Sequence, residues 1–196
     1  MNRELSKILT ETSVSRVRVV GIVAVDACNG IGIGNALPKF PKIDLKWFKH
    51  NTVGKVCIVG RKTYESLPPL KDRHFFVITK DPVTYSDNND LPSNVSVVSS
   101  LESAVKYGKM HAWENGQTEI MLIGGKTIYD ASLEEQHLDE LLVTHVMNDF
   151  DCNVEVNDLI NTVSNNWHSR NIYNGKHDDE HIHIVHYVKP TALPRL

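Results

Sequence analysis

Residues 17–25, Val-Arg-Val-Val-Gly-Ile-Val-Ala-Val, form an almost unbroken apolar run rich in β-branched side chains. Such a run fits a strand buried on both faces, which calls for strands beside it and helices above and below. The rest of the chain supplies them. Strands are predicted at 55–60, 73–79, 95–98, 119–123 and 138–146, with helices at 43–50, from Arg61 onward, at 101–107 and at 126–131 between them. Two further strands, 167–173 and 181–189, follow without a helix, arranged around Asn174-Gly175 with an Asp- and His-rich loop longer than a tight hairpin. Alternation that ends in consecutive strands predicts an α/β fold whose sheet is mostly parallel with an antiparallel C-terminal edge and flanking helices.

At 196 residues the chain has room for one domain with a full core. That domain is expected over 17–190, after a polar arm at 1–16 with a helical turn around 5–9, and before a short tail at 191–196. A composition of 41% hydrophobic and 23% charged residues, with a net charge of −3, is that of a soluble globular protein and gives no charge-driven case for nucleic acid. No apolar run approaches the roughly 18 residues of a membrane span, and no signal-type segment opens the chain, so a cytoplasmic location is expected. Cys28, Cys57 and Cys152 have no CxxC spacing and read as free thiols. Among the ten histidines, His181 and His183 would share one face of a strand and His186 the other, so no metal site is expected.

Residues 26–42 carry glycines and prolines without periodicity, and a loop of that length in a compact domain is usually functional. The helix after it spaces Asp44, Trp47 and Phe48 at i, i+3 and i+4, so the carboxylate and both rings share a face. That spacing fits an acid on the apolar wall of a pocket for a flat polar heterocycle. It fits equally a first-turn acid facing the helix dipole with core aromatics behind it. Further on, a strand ending at Gly60 and the basic helix start Arg61-Lys62-Thr63 suit a phosphate, or a solvated charged face.

The ordered set is more specific than any of its parts: Asn29-Gly-Ile-Gly, Asn35-Ala-Leu-Pro, Asp44-Leu-Lys-Trp-Phe-Lys, Gly60-Arg-Lys-Thr-Tyr-Glu-Ser-Leu-Pro, Ile123-Gly-Gly and Leu142-Val-Thr-His. It resembles the dihydrofolate reductase family over about 17–146 and more weakly to Tyr187. The resemblance implies a single-domain fold with a central eight-stranded sheet, NADPH across the carboxyl ends of its strands, and reduction of dihydrofolate to tetrahydrofolate for one-carbon metabolism. It also implies a monomer or weak homo-oligomer acting on small molecules without a metal.

Residue by residue, the resemblance gives Asp44 the pterin's 2-amino group and N3 and a part in protonating N5, with Thr144 holding the acid. Val20, Ile22, Leu37 and Ile123 would supply pocket wall and backbone carbonyls, Phe48 a ring surface, and Arg73 a bidentate fork for the substrate's glutamate tail. Ile31 and Gly32 would belong to the mobile loop, 29–40, that closes over the nicotinamide. Gly60, Arg61, Lys62 and Thr63, with Thr79 and Lys80, would hold the cofactor phosphates. Gly124 and Gly125, in a turn that carries a cis peptide in the family, and Lys126, Thr127 and Tyr129 would complete the cofactor site.

Two departures stand out. Lys39 occupies the position after Leu37-Pro38 where the family has tryptophan. It would either pair with Asp44 and depress its pKa or point to solvent, with Phe40 supplying the missing ring. The segment 67–73 lacks the glycine usual before the tail-binding arginine. The alternatives to a folate reductase are the sister reductase of riboflavin synthesis, on a ribosylated pyrimidine, and a nucleotide-binding scaffold acting through the N-terminal arm.

Overall fold

A computed structural model describes residues 10–34 and 36–190. The helical turn expected around 5–9 and the tail at 191–196 lie outside these residues, while 10–15 are helical. In chain order the elements are β1 (Arg18–Val25), β2 (Gly30–Gly32), α1 (Lys42–Thr52), β3 (Val56–Gly60), α2 (Arg61–Ser66), β4 (His74–Ile78), α3 (Pro82–Asp87) and β5 (Val95–Val98). There follow α4 (Leu101–Glu114), β6 (Glu119–Leu122), α5 (Lys126–Glu134), β7 (Glu140–Val146), β8 (Val154–Glu155), α6 (Asn157–Asn166), β9 (His168–His177) and β10 (Glu180–Val188). No helix among the described residues is long and apolar enough to cross a membrane.

Eight strands form one sheet in the order β5-β4-β3-β6-β1-β7-β10-β9. β1 runs parallel to β6 and β7, and β3 parallel to β4 and β6, whereas β10 is antiparallel to β7 and β9. The expected α/β architecture with an antiparallel C-terminal edge is therefore the observed one. β1 sits inside the sheet and is buried on both faces: Val19 and Val25 join the larger core cluster, Val20 and Ile22 the smaller. The larger cluster is closed by Ala104, Val105 and Ala112 of α4, Ile128 of α5, and Leu159, Ile160 and Val163 of α6. The smaller packs Cys57, Val59, Phe75, Val77 and Met121 beneath Trp47 and Phe48 of α1 and Tyr64 of α2. Each fully buried aliphatic or aromatic side chain stabilises the fold by about 1.5–3 kcal/mol.

Four local expectations are corrected. Between the strands predicted at 73–79 and 95–98, where no element was expected, lies α3, started by Asp81, whose side chain accepts from Thr84 N at 3.1 Å, and by Pro82 in the first turn. α4 continues past Tyr107 to Glu114 because Gly108 lies against the sheet, where a Cβ would stand 3.4 Å from Val56 and 3.5 Å from Ile120. A helix, α6, fills a region for which no element was predicted. Finally, β9 runs straight through Asn174-Gly175 and turns at Asp178-Asp179, where φ values of 51° and 66° make the two-residue hairpin that the longer loop had been expected to replace. The tip of this hairpin touches α1: Lys42 N donates to Asp178 Oδ2 at 3.3 Å, and Pro41, at the helix N-cap, has no side chain to do so.

At the amino ends of the parallel strands the charges are mutually paired. Lys55 meets Glu119 at 2.5 Å, Glu119 meets Arg18 at 2.6 Å, Arg18 binds Glu140, and Glu140 meets His186 at 2.7 Å.

Candidate active site

The carboxyl ends of β1, β3 and β4, the residues just after β5 and β6, and α1 enclose a cleft of about 1050 Å³. Crevices beyond the carboxyl ends of strands are where open α/β sheets bind ligands. Ile22, Leu37, Phe48 and Ile123 form apolar wall, and Ile31 and Gly32 come in from the loop. Val20 does not reach the cleft; it is 3% exposed and lies in the core beneath it.

Asp44 enters the cleft from the first turn of α1, a turn set by Pro41 with φ −56° and by the Asp44 N to Pro41 O bond at 3.0 Å. Burial holds its carboxyl above the usual carboxylate value. The Thr144 hydroxyl pulls the other way, near enough to favour the carboxylate but short of a completed hydrogen bond, so Oγ1 remains buried and unpaired. Thr144 is 1% exposed on β7 and does not itself line the cleft. Trp47 shares the helix but turns into the smaller cluster and stacks on His50, leaving Phe48 as the ring that faces the cleft beside Asp44.

Lys39 settles one open alternative. It is exposed and makes no ion pair among the described residues. The Asp44 carboxyl is raised, not depressed, so the pairing is overturned. Phe40 lines the cleft and packs edge-on against Phe150 with ring centroids 5.5 Å apart.

Arg73 is not a solvent-facing strand-edge residue. It is 7% exposed, donates from Nε to Thr52 Oγ1 at 2.9 Å and from Nη1 to Lys71 O at 2.7 Å, and lies over the Phe48 ring at 5.9 Å. No carboxylate among the described residues neutralises it, although it borders the cleft. Asp72 takes φ 60° in place of the glycine usual there, and its carbonyl accepts from Gly54 N at 2.6 Å. Aspartate is among the residues that tolerate this left-handed geometry.

At the far end two helix N-termini face the cleft. α2 starts at Gly60 and α5 at Gly125, and neither has a side-chain cap, which leaves the first amides free for an anion. Arg61, Lys62, Thr63, Thr79, Lys80, Lys126 and Thr127 surround them. Arg61 pairs with Glu65 at 3.0 Å and Lys126 with Asp130 at 2.9 Å, whereas Lys62 and Lys80 make no ion pair among the described residues. The Gly124-Gly125 peptide is cis. A Cβ on Gly124 would meet the Tyr129 ring at 2.5 Å, and one on Gly125 would meet Thr63 Oγ1 at 2.7 Å, so only glycine lets these segments come together. Gly124 lies behind the surface, and Gly60 N donates to its carbonyl at 2.8 Å. Tyr129 lines the cleft and donates to Ile22 O at 2.6 Å, its hydroxyl pKa raised by burial and then by Asp44.

Sequence reasoning overlooked Ser99, which follows β5 as Thr79 follows β4 and borders the same end of the cleft. The position just after a buried strand was the available signal.

The dihydrofolate reductase family matches residues 18–189. The chain is 36% identical over 135 residues to dihydrofolate reductase HdrB of Haloferax volcanii, covering 66% of each chain. It is 34% identical over 125 residues to dihydrofolate reductase type 9 of Escherichia coli, covering 64% of this chain and 68% of that one. For dihydrofolate reductase of Aedes albopictus the identity is 32% over 142 residues, covering 67% and 74%. In structure it is similar to dihydrofolate reductase from Enterococcus faecalis complexed with NADP(H) and RAB-propyl. The TM-score is 0.70 over 88% of this chain and 96% of that one, and the 21% identity makes this a likeness of fold.

Proposed function

The chain belongs to the dihydrofolate reductase family, and from that premise we propose that this cleft reduces 7,8-dihydrofolate to 5,6,7,8-tetrahydrofolate with NADPH. The observation that carries the reading is Asp44, an acid that burial keeps above its usual pKa on the wall of a cleft large enough for two ring systems. Bound NADPH supplies the hydride for the carbon next to N5 of the pterin.

The protein's part is to orient and to deliver a proton. The two oxygens of Asp44 match the pterin's 2-amino group and N3, and the unpaired Thr144 hydroxyl fixes the acid's orientation once the site tightens. The raised pKa keeps protonated carboxyl in supply, and water carries the proton on to N5. Phe48 packs on the rings. Arg73, buried without a counter-ion among the described residues, receives the α-carboxylate of the glutamate tail. Ile22 and Ile123 border the nicotinamide end, with the Ile22 carbonyl tethered by Tyr129.

The residues present fit a dinucleotide phosphate. The uncapped starts of α2 and α5 supply amides for the pyrophosphate, Lys62 and Lys80 supply positive charge for a 2′-phosphate, and Thr79 supplies a hydroxyl. The glycine contacts at 124 and 125 keep the cradle open. We place the activity in the cytoplasm, in keeping with three free cysteines.

The test is loss of NADPH absorbance on adding dihydrofolate to the purified protein from acid to neutral pH, with NADH in parallel. Turnover that prefers NADPH is expected. NADPH binding without dihydrofolate turnover would refute the reading.

A further inference from the structure

Asp26, at the carboxyl end of β1, is 2% exposed and joins two loops that meet at the cleft. Its Oδ1 accepts from Cys28 N at 2.9 Å and Gly30 N at 2.7 Å, both in its own loop. Its Oδ2 accepts from Phe150 N at 3.4 Å, and the Cys152 thiol lies near enough to favour the carboxylate, both from the facing loop. We propose that Asp26 is a positioning residue for the reaction: it pins the cleft loop to the facing loop and thereby holds Ile31 and Gly32 against the reacting rings. The inference rests on the reductase reading above.

The surroundings leave the loop little alternative. Gly30 runs so close to the facing loop that a Cβ would stand 2.2 Å from Cys152 Cβ and 2.7 Å from an Asp26 oxygen. Directly after it, Gly30 and Gly32 pair with Glu155 and Val154, so the placement of Gly30 is passed straight to the two residues that border the cleft. The same loops also meet through Phe40 and Phe150 and through Asn153, whose N–H donates to Gly32 O at 3.0 Å and whose Oδ1 accepts from Gly34 N at 2.8 Å. Asp26 is the buried charge among these contacts. Burial pushes its carboxyl up, but the Gly30 amide, the nearby Cys152 thiol and the Cys28 and Phe150 amides outweigh that and leave it below the usual value, so it holds the three amides as a carboxylate.

The experiment compares the unaltered protein with Asp26→Ala, Asp26→Asn and Gly30→Ala. It reads kcat and KM for dihydrofolate together with backbone hydrogen exchange at 30–34. Asp26→Ala is expected to speed exchange there and to lower kcat by about 10- to 100-fold, the scale of a misplacement by about 1 Å, with KM little changed. Asp26→Asn keeps one carbonyl acceptor and should fall between the two. Gly30→Ala drives a Cβ against both Cys152 and the Asp26 carboxylate, forcing the loops apart while Asp26 itself is retained, and should move kcat and exchange in the same direction as Asp26→Ala. A lower melting temperature with kcat unchanged in Asp26→Ala would overturn the positioning role, as would unchanged exchange. Absence of turnover in the unaltered protein would instead strike the reductase reading, and this inference with it.

Discussion

The amino-terminal rim of the sheet and the wall of the cleft treat charge in opposite ways. On the rim, Lys55, Glu119, Arg18, Glu140 and His186 each meet a partner on a neighbouring strand. At the cleft, Asp44 has no cationic partner among the described residues, the Thr144 hydroxyl behind it is unpaired, and Arg73 is buried against neutral acceptors. An unpaired buried polar group costs stability. At the cleft a ligand would supply the missing partners, so Asp44 and Arg73 outline the ligand's polar pattern in advance.

The sharpest way to break this contrast is Asp44→Asn. Turnover should fall by about 10²–10⁴-fold, the usual contribution of general-acid assistance, in an NADPH-coupled assay. The same change should leave the fold more stable at neutral pH. A carboxyl raised by burial costs the folded state nothing below its ordinary value near 3.9, and that cost grows as pH rises through the raised value. The stability gain of the variant should therefore vanish in acid. Turnover of the unaltered protein should fall as pH rises through the same range, since the protonated acid is lost. Equal activity in both proteins at neutral pH would remove Asp44 from the mechanism.

Arg73→Leu tests the other uncompensated charge. Losing a charge-assisted bond of about 1.5–3 kcal/mol should raise KM for dihydrofolate by about 10- to 100-fold while kcat changes little. A substrate lacking the glutamate tail should show no such difference.

On the rim the expectation reverses. Glu140→Ala strips Arg18 and His186 of a common partner and should lower unfolding free energy by about 1–3 kcal/mol in denaturant titration, with kcat unchanged. A loss of activity without a loss of stability would mean that the two regions are not separable. The smallest effect is expected at Lys39→Trp. Because Lys39 is exposed and unpaired with Asp44, the pH profile of turnover should keep its midpoint.

How much of this could be read from the chain depended on whether the signal was local. The run at β1, the strand starts around Val56 and Glu119 and the aromatic spacing of α1 are periodic features of a few residues, and they were legible. α6 was missed because Leu159, Ile160 and Val163 lie among Asn, Asp and Ser, which are weak helix formers, so its stability comes from packing on the core. Asp81-Pro82 was a readable helix start that a polar neighbourhood concealed. Asn174-Gly175 was a good turn signal that lost to strand register with β10. In the site, the motif positions of Asp44, Arg73 and the two glycines pointed to the cleft, but their state did not. That Arg73 is buried, that Lys39 is exposed and unpaired with Asp44 and that Asp26 spans two loops all depend on partners distant in the chain or on the path of a loop.

The contact from the β9–β10 hairpin to Lys42 N has a consequence for anyone re-engineering this protein. A surface turn of two aspartates looks like a free port for a tag, a graft or a new terminus. Here that turn finishes the helix that carries the acid, so a protein altered there would keep its yield and melting behaviour and announce the damage as a slower reaction.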